Sequence, residues 1–254
     1  RYSSQTLYSL EEAEPIDAVL SVELETLKSD LVKACRGSSS QQQVKDAVRK
    51  LEEQAEQVGI GQASSSSGFL SGEWELLYAP EDITRSSPFF WAFRKAFPEN
   101  SDQIFGITDA IPAPIKEVGP AFQSIEFNPE SGSGKFVSRV KVATLGGAAT
   151  SIMTTRASIL GVDGLDGIRL KIESTKPEDS TIVKKLLGPF ADTINEQSPP
   201  FPSGEALEAV KPGSSEVVLR TTFCDVGLRV SRNDDKFDEV FVWRRKELGS
   251  YAAI

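Results

Sequence analysis

From Val19 onward the apolar residues Leu20, Leu24, Leu27, Leu31 and Val32 recur at helical intervals, which marks one face of an amphipathic helix. Gly37 and the serines after it break this stripe. A second stripe follows, with Val44, Ala47, Val48, Leu51, Ala55 and Val58 apolar and Lys, Glu and Gln between them. Gly59 and Gly61 end it, as glycine does past a last helical turn. Such a stripe either lies on a membrane surface or packs on another element. The polar side here is acidic and amide-rich, which favours a two-helix module over 10–62 that packs on the rest of the chain.

After the serine-rich joint at 63–68 the period changes from helical to alternating. Trp74, Leu76 and Tyr78 point one way against Glu73 and Glu75, so 73–78 is a strand. Further strands are expected at 103–107, 122–127, 134–144, 151–160, 167–175, 215–224, 228–231 and 239–244. In one of them Ile168, Leu170 and Ile172 alternate with Arg169, Lys171 and Glu173, the pattern of a strand with one wet face. Turn dipeptides such as Ser131-Gly132, Asp163-Gly164 and Asp166-Gly167 separate the runs. Eight or nine short strands in succession predict an antiparallel meander, and closure into a barrel over 69–247 removes its exposed edges. One inserted helix is expected over 181–194, where Ile182, Val183, Leu186, Leu187, Phe190 and Ile194 hold helix spacing. The Pro-, Ser- and Gly-rich stretch 197–212 reads as a loop.

The full sequence of 254 residues carries a formal charge of -9. A surface of that sign repels phosphate backbones, so no nucleic-acid partner is expected. No apolar run approaches the ~20 residues that span a bilayer. Cys35 and Cys224 stand far apart in neither a CxxC nor a metal-ligand spacing, and are expected to be buried, reduced thiols. The chain contains no histidine. That removes Ser-His-Asp and Cys-His nucleophiles, His-ligated zinc and imidazole acid-base chemistry together. Asp, Tyr or Lys remain as catalytic groups, but an enzyme is not expected, and no cofactor or metal is expected either. The acidic runs at Glu11, Glu12 and Glu14 and at Asp234, Asp235, Asp238 and Glu239 follow no EF-hand spacing. They read as solvated faces or turns.

Two segments carry more. The opening strand holds Gly72-Glu73-Trp74. This Gly-x-Trp resembles that of lipocalin-like barrels, which implies a tryptophan near the closed end with an arginine from the end of the chain packed over its ring as a plug; Arg229 or Arg232 is the candidate arginine. The second segment is 84–98, where Phe89, Phe90, Trp91, Phe93 and Phe97 crowd together beside Arg85, Arg94 and Lys95. These aromatics either cap the barrel core or meet lipid. The reading adopted has Phe89 and Phe93 buried, with Phe90, Trp91, Arg94 and Lys95 at a lipid surface. Asp225, between apolar residues in the last hairpin, is expected to have a structural hydrogen-bonding role before a catalytic one.

Gly72-Glu-Trp74-Glu-Leu-Leu-Tyr78 followed by Thr84-Arg85-Ser-Ser-Pro-Phe-Phe resembles the opening of the plastid lipid-associated protein (fibrillin) domain. Thr221-Thr222-Phe-Cys-Asp225-Val-Gly-Leu-Arg229-Val-Ser231-Arg232 resembles its closing motif. The likeness runs from about Leu24 to the final strand. It implies a lipocalin-like barrel in the chloroplast, at plastoglobules or thylakoids, that stores or carries prenyl lipids, carotenoids or related apolar molecules such as quinones. Gly72, Trp74, Asp225, Arg229, Ser231 and Arg232 occupy the motif positions. Asn233 stands where family members often have glycine; asparagine tolerates the left-handed backbone such a turn would need. The start at Arg1 fits a mature chain whose transit peptide has gone, and equally a trimmed one.

These readings lead to a binding module whose apolar cavity is closed near Trp74 and lined by Trp74, Leu76, Phe89, Phe93, Phe136, Val140, Val142, Ile168, Leu170 and Ile172. Its partners would be an apolar small molecule or lipid and the surface of a droplet or thylakoid. The rival is a scaffold that coats such a surface and recruits an enzyme of lipid biosynthesis through the aromatic patch and the 181–194 helix. An enzyme acting on a lipophilic substrate ranks third.

Overall fold

The computed structural model describes residues 14–103, 116–144, 149–181, 184–185, 188 and 197–246. The chain divides into two compact units, Arg1–Gly61 and Gln62–Ile254.

In the first unit, helix α1 (Glu14–Arg36) packs against α2 (Gln41–Val58). Ser40 starts α2 with a capping box: its hydroxyl accepts from the Gln43 N–H, and the Gln43 side chain accepts from the Ser40 N–H. Two donors that the helix leaves open are satisfied at once. Gly59 ends the helix at a φ of 68°, a left-handed conformation that costs glycine nothing. The stripe foreseen from the sequence is the buried one: Leu24 and Leu31 on α1, and Val44, Val48, Leu51 and Ala55 on α2.

The second unit is built on eight antiparallel strands: β1 (Gly72–Tyr78), β2 (Lys116–Asn128), β3 (Ser133–Thr144), β4 (Ala149–Asp163), β5 (Gly167–Glu178), β6 (Glu216–Cys224), β7 (Leu228–Asn233) and β8 (Lys236–Arg245). Each pairs with the next, and β8 returns to β1 through Glu75↔Arg244 and Leu76↔Trp243, so the sheet closes into a barrel. Closure gives each described strand a neighbour on both sides, which covers the edges an open sheet would expose. Alternation sorts the side chains as it should: on β5, Ile168, Leu170 and Ile172 are buried while Arg169, Lys171 and Glu173 are exposed. With Phe127, Phe136, Ile159, Leu219 and Phe241 they form one core.

Three further elements complete this unit: a 3-10 turn (Ile83–Ser86), helix α3 (Pro88–Ala96) and helix α4 (Ser203–Val210). Helix α4 corrects the expectation that 197–212 is a loop. It buries Ser203, Gly204 and Leu207. A Cβ at position 204 would collide with the Ile172 carbonyl, so glycine is what lets α4 approach β5. The strand expected at 103–107 lies outside the described residues except for Gln103, which is helical. The helix expected over 181–194 lies mostly outside them as well.

Candidate functional site: a capped apolar cavity

One end of the barrel is sealed by stacked cations and indoles. The Arg229 guanidinium is fully buried between two rings, its Cζ 5.1 Å from the centre of Trp74 and 4.8 Å from that of Trp243. It donates to Gln123 Oε1. Burial pulls its pKa down to about 9, so it is still a cation at neutral pH. Arg245, which the sequence does not single out, also stacks on Trp74, at 4.3 Å. It ties three carbonyls together, donating to those of Ser71, Val226 and Phe69. Gly72 has a φ of 146°, and a Cβ there would collide with Arg245 Nη1. Glycine is therefore needed both for its backbone and for the passage of this guanidinium. Arg232, the other candidate for stacking on Trp74, lies instead 4.8 Å over Phe237.

Asp225 takes the role expected of it: its Oδ1 accepts from the Gly227 and Leu228 N–H groups and shapes the β6–β7 turn. Asn233 does not have the left-handed backbone that the missing glycine suggested, since the described non-glycine residues with positive φ are Ala63 and Asp179. It belongs to β7, and its Oδ1 accepts from the Asp235 N–H at 3.4 Å.

The aromatic segment enters the other end. Pro88 sits in the first turn of α3, and the phase it sets buries Pro88, Trp91, Ala92 and Ala96. Trp91 was expected to be more exposed, at a lipid surface. At 1% exposure it is instead a core residue, 5.8 Å from the ring of Phe241, and its indole N–H donates to the Arg85 carbonyl at 2.7 Å. Residues spaced three and four apart share a helix face, which counting aromatics does not reveal. Arg94 does not sit at a headgroup level either: it is bound to both carboxylate oxygens of Glu239 and to Glu81. Glu239 is thus a buried ion-pair partner, not part of a solvated run. Lys95 is exposed and donates to the Glu216 carbonyl.

Between this plug and the ends of three strands lies a partly enclosed cavity of about 220 Å³. Its walls are Phe89 and Phe90 of α3, Val140 and Val142 of β3, and Met153 of β4; Thr84, Arg85, Ser87, Thr155 and Thr175 supply its polar groups. It is smaller than the ~300–1,000 Å³ pockets that take a whole drug-sized ligand. It exceeds the ~150 Å³ apolar cavity that holds a benzene.

Of the residues expected to line a cavity, Phe89, Val140 and Val142 do so. Phe90, expected at a lipid surface, joins them. Trp74, Phe136, Ile168, Leu170 and Ile172 are packed in the core, with Leu76 and Phe93 half-buried against it. They fill the barrel with the protein's own side chains. Cys224 is buried and Cys35 partly so, both as free thiols. Burial raises them to about 11 and about 12, with Arg229 and Arg245 pulling Cys224 partly back. Among the described residues no group of three carboxylates or cysteines is placed to hold a metal ion.

A closed eight-stranded meander with an apolar cavity at one mouth defines a lipocalin-like barrel. The PAP_fibrillin family model matches residues 24–243, and the chain belongs to that family, the plastid lipid-associated proteins. No curated protein and no solved structure matches it.

Proposed function

We propose that this plastid lipid-associated protein binds one end of a small apolar metabolite, of the prenyl lipid, carotenoid or quinone kind, in the cavity beneath α3. The observation that carries the reading is the wall of Phe89, Phe90, Val140, Val142 and Met153 around empty space in a barrel otherwise filled. Burying apolar ligand surface against such a wall yields ~25 cal/mol per Å². The volume admits a single substituted ring or a chain terminus, so the remainder of a long isoprenoid must leave through the mouth. The protein acts by holding and carrying, without catalysis, at plastoglobules or thylakoids. Native mass spectrometry of protein purified from a plastid lipid extract tests this. One apolar molecule per chain is expected, and Val142→Trp, which fills the cavity, should abolish it. An empty wild-type chain that still floats with droplets would overturn the reading.

The rival role, a surface scaffold that recruits an enzyme of lipid biosynthesis, loses Trp91, which is buried. It draws instead on the outward apolar residues around the sealed end. Phe69 and Val226, 44% and 66% exposed, have their carbonyls bound by the same Arg245. Leu165, 73% exposed, tips the β4–β5 turn.

A further inference from the structure

The floor of the cavity is built differently from its walls. On β3 the inward residues run Phe136, Ser138, Val140, Val142, and on β4 they run Ile159, Ala157, Thr155, Met153. Ser138 pairs with Thr155 in register, and Thr155 with Thr175 of β5. A rung of hydroxyls therefore crosses the barrel between the packed core and the cavity, with Ser87 added from the turn before α3.

These hydroxyls are poorly satisfied. Thr155 is 3% exposed, and its described partners, Ser87 Oγ and Thr175 Oγ1, both lie at 3.5 Å, the outer limit of a hydrogen bond. Ser138 Oγ is buried and has no hydrogen-bond partner among the described residues. Ser87 stands at the N-cap of α3, yet its side chain makes no cap bond there and turns toward Thr155. Thr175 alone is well held, 2.9 Å from Ser203 Oγ. Buried polar groups are ordinarily bonded, so a rung left this loose at the base of an apolar cavity is a place for an oxygen that arrives with a ligand.

We infer that the cavity selects a ring bearing a neutral oxygen, a carbonyl or phenolic hydroxyl, that enters oxygen first and bonds to Thr155. The inference rests on the proposed binding role and names the ligand class for the same cavity. The hydroxyl donors facing it, Thr155 of β4, Thr175 of β5 and Ser87, are uncharged. An ionised head would lose its hydration among Phe89, Phe90, Val140 and Val142. Arg85, the charged residue of the lining, donates to Thr84 Oγ1 and lies over the Phe90 ring at 5.2 Å, which engages its guanidinium within the wall.

The test compares two probes of one skeleton on the full chain: a pentyl-substituted dimethylbenzoquinone and the pentyl-substituted dimethylbenzene that lacks its oxygens. Calorimetric titration should show the quinone binding about ten-fold more tightly, the value of one good hydrogen bond. Thr155→Val, which keeps the shape and removes the hydroxyl, should erase that preference and leave the arene unchanged; Thr155→Ser should keep it. Equal binding of the two rings, or a preference that survives Thr155→Val, overturns the inference and leaves the binding role standing. If neither ring binds the wild-type chain, the binding role and the inference fall together.

Discussion

The guanidinium of Arg245 lies 4.3 Å over the ring of Trp74, in space that a side chain at Gly72 would take, since a Cβ there would collide with its Nη1. Gly72→Ala forces a positive φ on a residue with a Cβ and drives that Cβ into Arg245. We expect a loss of about 2–4 kcal/mol in urea unfolding, with the barrel end around Phe69 and Val226 the first to exchange its amides.

Arg229 adds a second seal from inside. Arg229→Leu removes two cation–π contacts and leaves Gln123 Oε1 in the interior without its donor. A loss of about 3 kcal/mol is expected. Arg229→Lys should recover little of it, since an ammonium cannot stack flat between two indoles. Chemical denaturation of both variants checks this.

Glu208 gives the fold a dependence on acid. Its carboxylate accepts from the Ser215 hydroxyl and from the Gly213 and Ser215 N–H groups, which lowers its pKa from 4.5 to about 2. A depressed carboxyl pKa contributes stability above the unfolded value, and that contribution is lost as pH falls through the folded one. The turn after α4 should therefore loosen between pH 4.5 and about 2. A carbon-detected titration should place the Glu208 midpoint near the lower value, and Glu208→Gln should flatten the acid limb of the stability curve.

The two thiols should be inert in the native protein, because burial holds them near 11 and 12 and only the thiolate reacts. Iodoacetamide at pH 8 is expected to modify neither Cys35 nor Cys224 until denaturant is added. Rapid labelling of Cys224 in native buffer would show that β6 opens.

Much of this barrel is readable from alternation, and the limits of that reading are physical. The runs Phe136, Val140, Val142 and Ile168, Leu170, Ile172 point inward as their period demands. Thr175 escapes the pattern because β4 and β5 slip register between Arg156 and Ala157, which moves the inward phase of β5 from even to odd positions. A bulge leaves no mark in polarity. Thr155 and Met153 were in phase with Ala157 and Ile159 all along, but a threonine in an alternating strand looks no different from a solvent-facing one. The sequence narrows the arginine over Trp74 to Arg229 or Arg232 and does not choose between them, since which one faces the ring depends on the strand's phase; Arg245, two residues beyond Trp243, has no such marker. The orientation of Trp91 depended on where α3 begins, and the helix at 203–210 was hidden by the prolines, serines and glycines around it.

The central claim is that a ligand occupies the space beneath α3, and the molecule carries its own reporter. The sequence holds one methionine, and Met153 lines the cavity. Protein labelled with carbon-13 at the methionine methyl has one such resonance to follow during titration with a short-chain prenylquinone. The account predicts that this signal shifts and shows contacts to ligand protons, and that it does neither in Val142→Trp. A ligand that binds one-to-one while the Met153 methyl stays unmoved would contradict the account and place the binding site elsewhere.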